Sequence, residues 1–289
     1  MKFSIIVPSY NNIEYLKLFL KSIKTNSNFK HQIVIHVNQG IDGTLKYLKT
    51  NNIDFTHSKE NIGLCDSVNL ASKKAISDYI MYAHDDMFFC KDWDLILKAE
   101  IKSLNTKNFY LSGLNISNKG GGFYDVDCGT EPKNFNIQKF NEFCKTDNSN
   151  DLQGSHWAPH VVHKDLWIDV GGFSREFNPG DGSDPDFCLK LWKKNVRIFK
   201  TIANFKVYHF GSVTIRKNKN IIKNKGTQKF ILKWGFSPKF FRKYYLQGNN
   251  LNKYNGFLNE PIKNNKMLLD LFINKCKFFY LKIITLFNK

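Results

Sequence analysis

Four short apolar runs, each of strand length, recur in the first 82 residues, and a stretch with helical spacing follows each of the first three. The runs are Phe3 to Tyr10, His31 to Val37, Ile53 to His57 and the one beginning at Tyr79. Between them Tyr15, Leu16, Phe19, Leu20 and Ile23 repeat at helical spacing, a short helix is expected over Leu45 to Lys49, and a longer one over Cys65 to Ile76. Asn11-Asn12 offers a cap for the first helix, and Asp42-Gly43-Thr44 a turn into the second. Strand and helix alternating at this spacing argue for a doubly wound α/β sheet with right-handed crossovers.

The fourth run, Tyr79-Ile80-Met81-Tyr82-Ala83-His84-Asp85-Asp86-Met87, ends in two adjacent carboxylates. Ligands of open α/β sheets bind outside the carboxyl ends of the strands. A carboxylate pair there suits a hard divalent cation shared with substrate phosphates, and equally suits a solvated loop or the cap of the next helix. Pro8 and Tyr10 lie past the end of the first strand, where an aromatic ring and free backbone groups suit a base. Asn38 lies past the second and offers both a donor and an acceptor. Loop geometry or capping accounts for these residues equally well.

Beyond Met87 a helix is expected from about Trp93 to Leu104 and a strand from Phe109 to Leu114. Gly120 to Gly122 reads as a turn, not a phosphate-binding loop, because no helix follows it. Residues 130–150 are polar and read as a mobile flap. His156, His160 and His163 do not make a zinc site: Pro159 interrupts a helix, and on a strand the last two point to opposite faces. Trp157 offers a sugar ring an apolar platform, or belongs to the core. Short helices are expected over Lys164 to Val170 and Phe187 to Lys194. The acidic start of the second suits either N-capping or a general base that takes a proton from a hydroxyl.

Val7-Pro8-Ser9-Tyr10-Asn11-Asn12, then Asp42-Gly43-Thr44, then Glu60-Asn61-Ile62-Gly63 with Asn69, then His84-Asp85-Asp86 resemble, in order and spacing, the nucleotide-binding half of family-two glycosyltransferases. Gly171-Gly172-Phe173 with the acidic helix start, and Val207 to Ser212, resemble that family's acceptor-side motif and terminal strand, so the resemblance covers roughly residues 3–212. It implies a GT-A fold: a Rossmann-like mixed sheet flanked by helices. It implies an inverting transfer from a nucleoside diphosphate sugar, here a UDP-sugar, to a hydroxyl of a glycan or lipid-linked acceptor in cell-surface polysaccharide synthesis. The residues it marks for the donor are Pro8, Tyr10, Asn38, Asn61, Asp66 and Asp85, with Asp85 on the ribose. Asp86 and His209 would hold Mn²⁺ or Mg²⁺ against the diphosphate. Asp184 matches the catalytic base, while Trp157 and Asp186 fall on the acceptor side. The family has an aspartate where Asn38 stands, often an arginine where Val68 stands, and a glutamate where Ser183 stands. A metal-dependent nucleotidyltransferase and a non-catalytic sugar- or nucleotide-binding protein of the same fold are the alternatives.

Charge divides the chain. Residues 216–289 carry 17 Lys and Arg against Glu260 and Asp270, a net +15 of the total +18. We therefore expect a catalytic domain over 1–215, with a nucleotide-sugar half (1–105) and an acceptor half (106–215), and a basic, mostly helical extension over 216–289. The last stretch, Met267 to Phe287, places apolar residues on one broad helical face flanked by lysines. That pattern suits an anionic membrane surface, or packing on the domain itself or on another subunit. Nucleic acid is not an expected partner, since no recognised module is present. No run of apolar residues is long enough for a membrane span, and no cleavable signal precedes the first strand. Six cysteines without a Cys-x-x-Cys pair suit a reducing compartment. A cytoplasmic protein, peripheral on the inner membrane face, is the resulting expectation.

Overall fold

The computed structural model describes residues 1–118, 122–211, 213, 224–248 and 252–287. The glycine turn at 120–122 and much of the segment after 213 lie largely outside the described residues. In chain order the elements begin β1 (Phe3–Tyr10), α1 (Ile13–Asn26), β2 (Gln32–Asn38), α2 (Thr44–Thr50), β3 (Asp54–Ser58), α3 (Leu64–Ser72), β4 (Tyr79–Tyr82), β5 (Met87–Phe89) and α4 (Trp93–Leu104). Then come β6 (Phe109–Ser117), β7 (Tyr124–Asp125), α5 (Ile137–Thr146), β8 (Leu152–Gln153), β9 (His160–His163), α6 (Lys164–Asp169), α7 (Ser183–Lys193) and β10 (Ile198–His209). The helices α8 (Gly226–Trp234), α9 (Pro238–Tyr244) and α10 (Asn265–Phe287) complete the chain.

One sheet organises the molecule, in the order β3-β2-β1-β4-β9-β6-β10-β5, with β7 beside β6 and β8 beside β10. Its first four strands are parallel, as the alternation requires. Phe3, Ile5, Ile6 and Val7 are wholly buried, which is the uninterrupted apolar run of a strand covered on both faces. The sheet then turns mixed: β9 runs antiparallel to β4 and β6, and β5 antiparallel to β10. The GT-A type mixed sheet implied by the resemblance is present, and the doubly wound reading applies to its parallel half.

Three local expectations are corrected. Helix α3 stops at Ser72, not Ile76, because the amides of Ile76 and Ser77 are taken by the Ser4 hydroxyl (3.1 and 3.0 Å) and pull the chain into β4. Helix α7 opens at Ser183, four residues before Phe187. Pro185 is tolerated there because the first turn of a helix has no use for its N–H. The supposed flap contains α5, capped by Asn136 and anchored by Phe140, which is wholly buried against Phe88, Phe135 and Tyr208.

The basic extension contributes to the core. Phe230 and Phe241 are wholly buried and pack into the same cluster as the sheet. Helix α10 is held at its start by the Lys243–Asp270 pair (2.5 Å) and by Asn274 accepting from the Ser237 amide (2.8 Å). Much of its apolar face is left exposed: Phe279 and Ile283 are more than half exposed and Phe287 is 85% exposed. Among the described residues no helix is long and apolar enough to cross a membrane.

Candidate functional site

The carboxyl ends of β1, β2 and β4 open into a cleft of about 580 Å³. Pro8 and Tyr10 from β1, Asn38 from β2, and Asp85 and Asp86 after β4 all line it, as does Asn61 ahead of α3. Asp85 is only 5% exposed and accepts from the Ser9 hydroxyl (2.7 Å) and the Asn12 amide (3.1 Å). Asn12 is thus committed to the site and does not cap α1 with its side chain. Asp42 does so from outside the helix, accepting from the Ile13 amide at 2.8 Å.

The pairing of β5 with β10 sets His209 opposite Met87, and the Phe210 amide bonds the Asp86 carbonyl (3.1 Å). His209 is thereby brought to Asp86 from 123 residues away in sequence, with Nε2 3.2 Å from Oδ1. His84 Nδ1 stands 3.3 Å from His209 Nε2 and 4.0 Å from Asp86 Oδ1. The three ligand atoms lie close enough together to hold a metal ion: with bonds of about 2.1 Å neighbouring ligands stand roughly 3.0–3.5 Å apart, as His209 does from each of the other two, while His84 and Asp86 stand slightly wider at 4.0 Å. Burial and the neighbouring His209 push the His84 imidazole down to about 4, so it is neutral at pH 7. In the tautomer whose Nε2–H donates to the Tyr82 hydroxyl (2.8 Å), Nδ1 presents a lone pair to an ion. Burial opposes ionisation of Asp86, but His209, by charge and hydrogen bond, prevails and holds the carboxyl at about 2. Two imidazoles and one carboxylate suit Mn²⁺ better than Mg²⁺, which favours an all-oxygen shell.

His84 is the residue the sequence reading did not assign, although it stands beside the two aspartates that were singled out. The signal available was its spacing: two positions before Asp86, close enough to share an ion. Asn38 lines the cleft, yet its amide is mostly occupied internally. Its oxygen accepts from the Ile62 amide (2.9 Å) and its nitrogen donates to the Ser67 hydroxyl (2.9 Å). Asp66 is corrected: it lies outside the cleft wall, paired with Arg175 at 3.1 Å.

The far wall of the cleft comes from the start of α7. Gly63 ties the two walls together. Its φ is +82°, and a Cβ there would meet Asn178 at 2.5 Å, so only glycine lets Asn178 accept from the Cys65 amide (2.8 Å). Asp184 then faces Asp85 and Asp86 across the cleft, and it also lines a second cavity of about 410 Å³ with Trp157. Its Oδ1 is buried and meets no donor, and burial pushes the carboxyl up to about 7. A carboxylate with that value, on the wall between two cavities, has the character of a general base. Trp157 is half-buried against Phe123 and His156, with its indole N–H unpaired.

Asp186 is corrected as an acceptor contact. It is wholly buried and accepts from Ser174 (2.6 Å) and Trp234 (2.8 Å), with Lys233 at 2.8 Å. Breaking such a buried pair costs about 3–5 kcal/mol, so Asp186 holds α8 on α7 and is not available to an acceptor.

The profile of the family described as Glycosyl transferase family 2 matches residues 4–158, more than half of the chain. The chain belongs to glycosyl transferase family 2. A family relative, the uncharacterized glycosyltransferase YfnE of Bacillus subtilis strain 168, is 32% identical over 119 residues, covering 39% of this chain and 30% of YfnE. The chain spans less than a third of the length of the curated relatives it matches. Among solved structures, residues 1–349 of S. aureus TarS in complex with UDP-GlcNAc superpose with a TM-score of 0.54 at 18% identity, covering 74% of this chain and 61% of that one. GalNAc-T7 with UDP, GalNAc and Mn²⁺ gives 0.58 at 12% identity, covering 80% of this chain and 48% of that one. Both have this fold, and the matched family region ends before Asp184, α8 and α9.

Proposed function

We propose that this chain transfers a sugar from a nucleoside diphosphate sugar, a UDP-sugar, to a hydroxyl of a glycan or lipid-linked acceptor. The observation that carries this is Asp184, a carboxylate raised to about 7 and shared by two adjoining cavities, one of which holds the His84, Asp86 and His209 set. The neighbours solved with UDP, UDP-GlcNAc and Mn²⁺ support the choice of donor and ion.

In this reading Pro8, Tyr10 and Asn61 border the base and Asp85 accepts from the ribose. Mn²⁺ or Mg²⁺, bound by the three residues, would neutralise charge on the departing diphosphate. Asp184 takes the proton of the acceptor hydroxyl as its oxygen bonds the anomeric carbon. The bond from that carbon to the phosphate oxygen breaks on the opposite face, its electron pair leaving on the nucleoside diphosphate, so the anomeric centre inverts. The division of labour proposed is donor binding over 1–105, acceptor binding over 106–215, and an accessory role for 216–289.

The test is release of nucleoside diphosphate from a panel of UDP-, GDP- and dTDP-sugars with Mn²⁺ and no added acceptor, since slow transfer to water reports donor use. Release from one donor is expected. Release of pyrophosphate instead would move the protein to the nucleotidyltransferases, and no release from any donor would remove the catalytic reading.

Helix α10, with Phe279, Ile283 and Phe287 exposed between lysines, is proposed to rest on an anionic membrane surface, as charge and apolar area together favour. Co-sedimentation with phosphatidylserine vesicles but not phosphatidylcholine vesicles is expected. Equal behaviour with both would remove the membrane role and with it the peripheral location.

A further inference from the structure

The second cavity has two unlike walls. Toward the donor cleft stand Asp184 and Asp181, the latter accepting from the Gly226 amide at 3.1 Å. Lys239 and Arg242, both from α9, line this cavity and not the donor cleft, as do Thr227, His156 and Trp157. Two other cations of the extension are paired, Lys233 with Glu176 and Asp186, and Lys243 with Asp270. Lys239 and Arg242 have no carboxylate partner among the described residues. Arg242 is half-buried and its Nε–H is buried without an acceptor. A buried guanidinium N–H left unsatisfied is costly, and guanidinium matches phosphate and carboxylate oxygens with paired donors.

We propose that this cavity binds an acceptor carrying an anionic group, a phosphate or a carboxylate, close to the hydroxyl that receives the sugar. The inference rests on the glycosyltransferase reading, with Asp184 as base. Lys239 and Arg242 hold the anion at one end, and the hydroxyl reaches Asp184 at the other. Trp157 supplies an apolar flank. His156, whose Nδ1–H is spent on the Gly154 carbonyl (3.0 Å), offers Nε2 as an acceptor to a further hydroxyl. Both cations lie beyond the segment matched by the family, so this wall is a feature of this chain's own extension. Part of the net +15 of that extension thus serves substrate recognition.

The test uses the full chain, Mn²⁺ and the donor identified by the release panel, with three acceptor sets of matched length: neutral oligosaccharides, oligosaccharides containing uronic acids, and polyols linked by phosphodiesters. One anionic set should be glycosylated with a kcat/KM at least about tenfold above the neutral set, and which one responds distinguishes carboxylate from phosphate. Lys239→Gln and Arg242→Gln should each raise the KM for that acceptor roughly tenfold, with the donor KM moving less than about twofold. Arg242→Lys should recover most of the loss. Lys239 is exposed, so Lys239→Gln reads recognition without disturbing the fold. Equal use of neutral acceptors, no gain from any anionic set, or an unchanged acceptor KM in both variants would overturn the inference while donor hydrolysis still stands. Loss of donor hydrolysis in the wild type would instead overturn the function on which it rests.

Discussion

Asp184→Asn is expected to lower sugar transfer about a thousandfold, a barrier increase of about 4 kcal/mol, while the donor KM changes by no more than a few-fold. Asparagine keeps the shape and removes only the proton acceptor at the wall between the two cavities. In the wild type the base is active when ionised, so kcat/KM for the acceptor should rise about tenfold per pH unit up to about 7 and then level off. The asparagine variant's residual rate should lack that rise. The same substitution has a stability signature with a definite sign. The folded-state value is above the ordinary 3.8, so the wild type is most stable, as far as this group is concerned, below pH 4 and loses stability as pH rises through about 7. Full expression of that shift is roughly 4 kcal/mol, and because the half-buried residue opens on the cleft about 2 kcal/mol is expected. Thermal denaturation should therefore show Asp184→Asn more stable than the wild type at pH 8, with the difference shrinking toward pH 4. Transfer within tenfold of wild type at pH 8 would show that another group takes the proton.

Asp86→Ala is expected to reduce metal-dependent donor turnover roughly a thousandfold, because it removes the one carboxylate of the set and leaves two imidazoles. The fold should survive: the contact that seats β10 beside this turn runs from the Phe210 amide to the Asp86 backbone carbonyl, which alanine retains. His84→Ala, leaving Asp86 and His209 in place, should cause a smaller loss that excess Mn²⁺ partly restores. An Asp86→Ala protein that releases nucleoside diphosphate at the wild-type rate, with the same response to EDTA, would place the ion elsewhere.

The parallel half of the sheet was legible because each of its strands is a short buried run bounded by turn residues, a signal contained in the run itself. Asp86 and Asp184 were legible as residues but not as partners, since their facing positions depend on the Gly63–Asn178 contact between segments more than a hundred residues apart. His84 was overlooked for a related reason. Its place in the cluster depends on His209, delivered by an antiparallel pairing that no local pattern announces. Asp186 misled because a helix-start aspartate looks available in sequence, whereas Trp234 and Lys233, from the basic extension, pair with it. The basic wall of the second cavity was hidden in the same tail, where net charge could be counted but not positioned.

The most direct measurement is calorimetric titration of UDP into the wild-type protein with Mn²⁺ present, repeated after EDTA and with Asp86→Ala. The account predicts one site whose affinity falls at least about a hundredfold without the metal and falls equally in the variant, because the diphosphate is held through the ion. UDP binding of the same strength in all three samples would contradict it, since the His84, Asp86 and His209 set would then have no part in holding the donor.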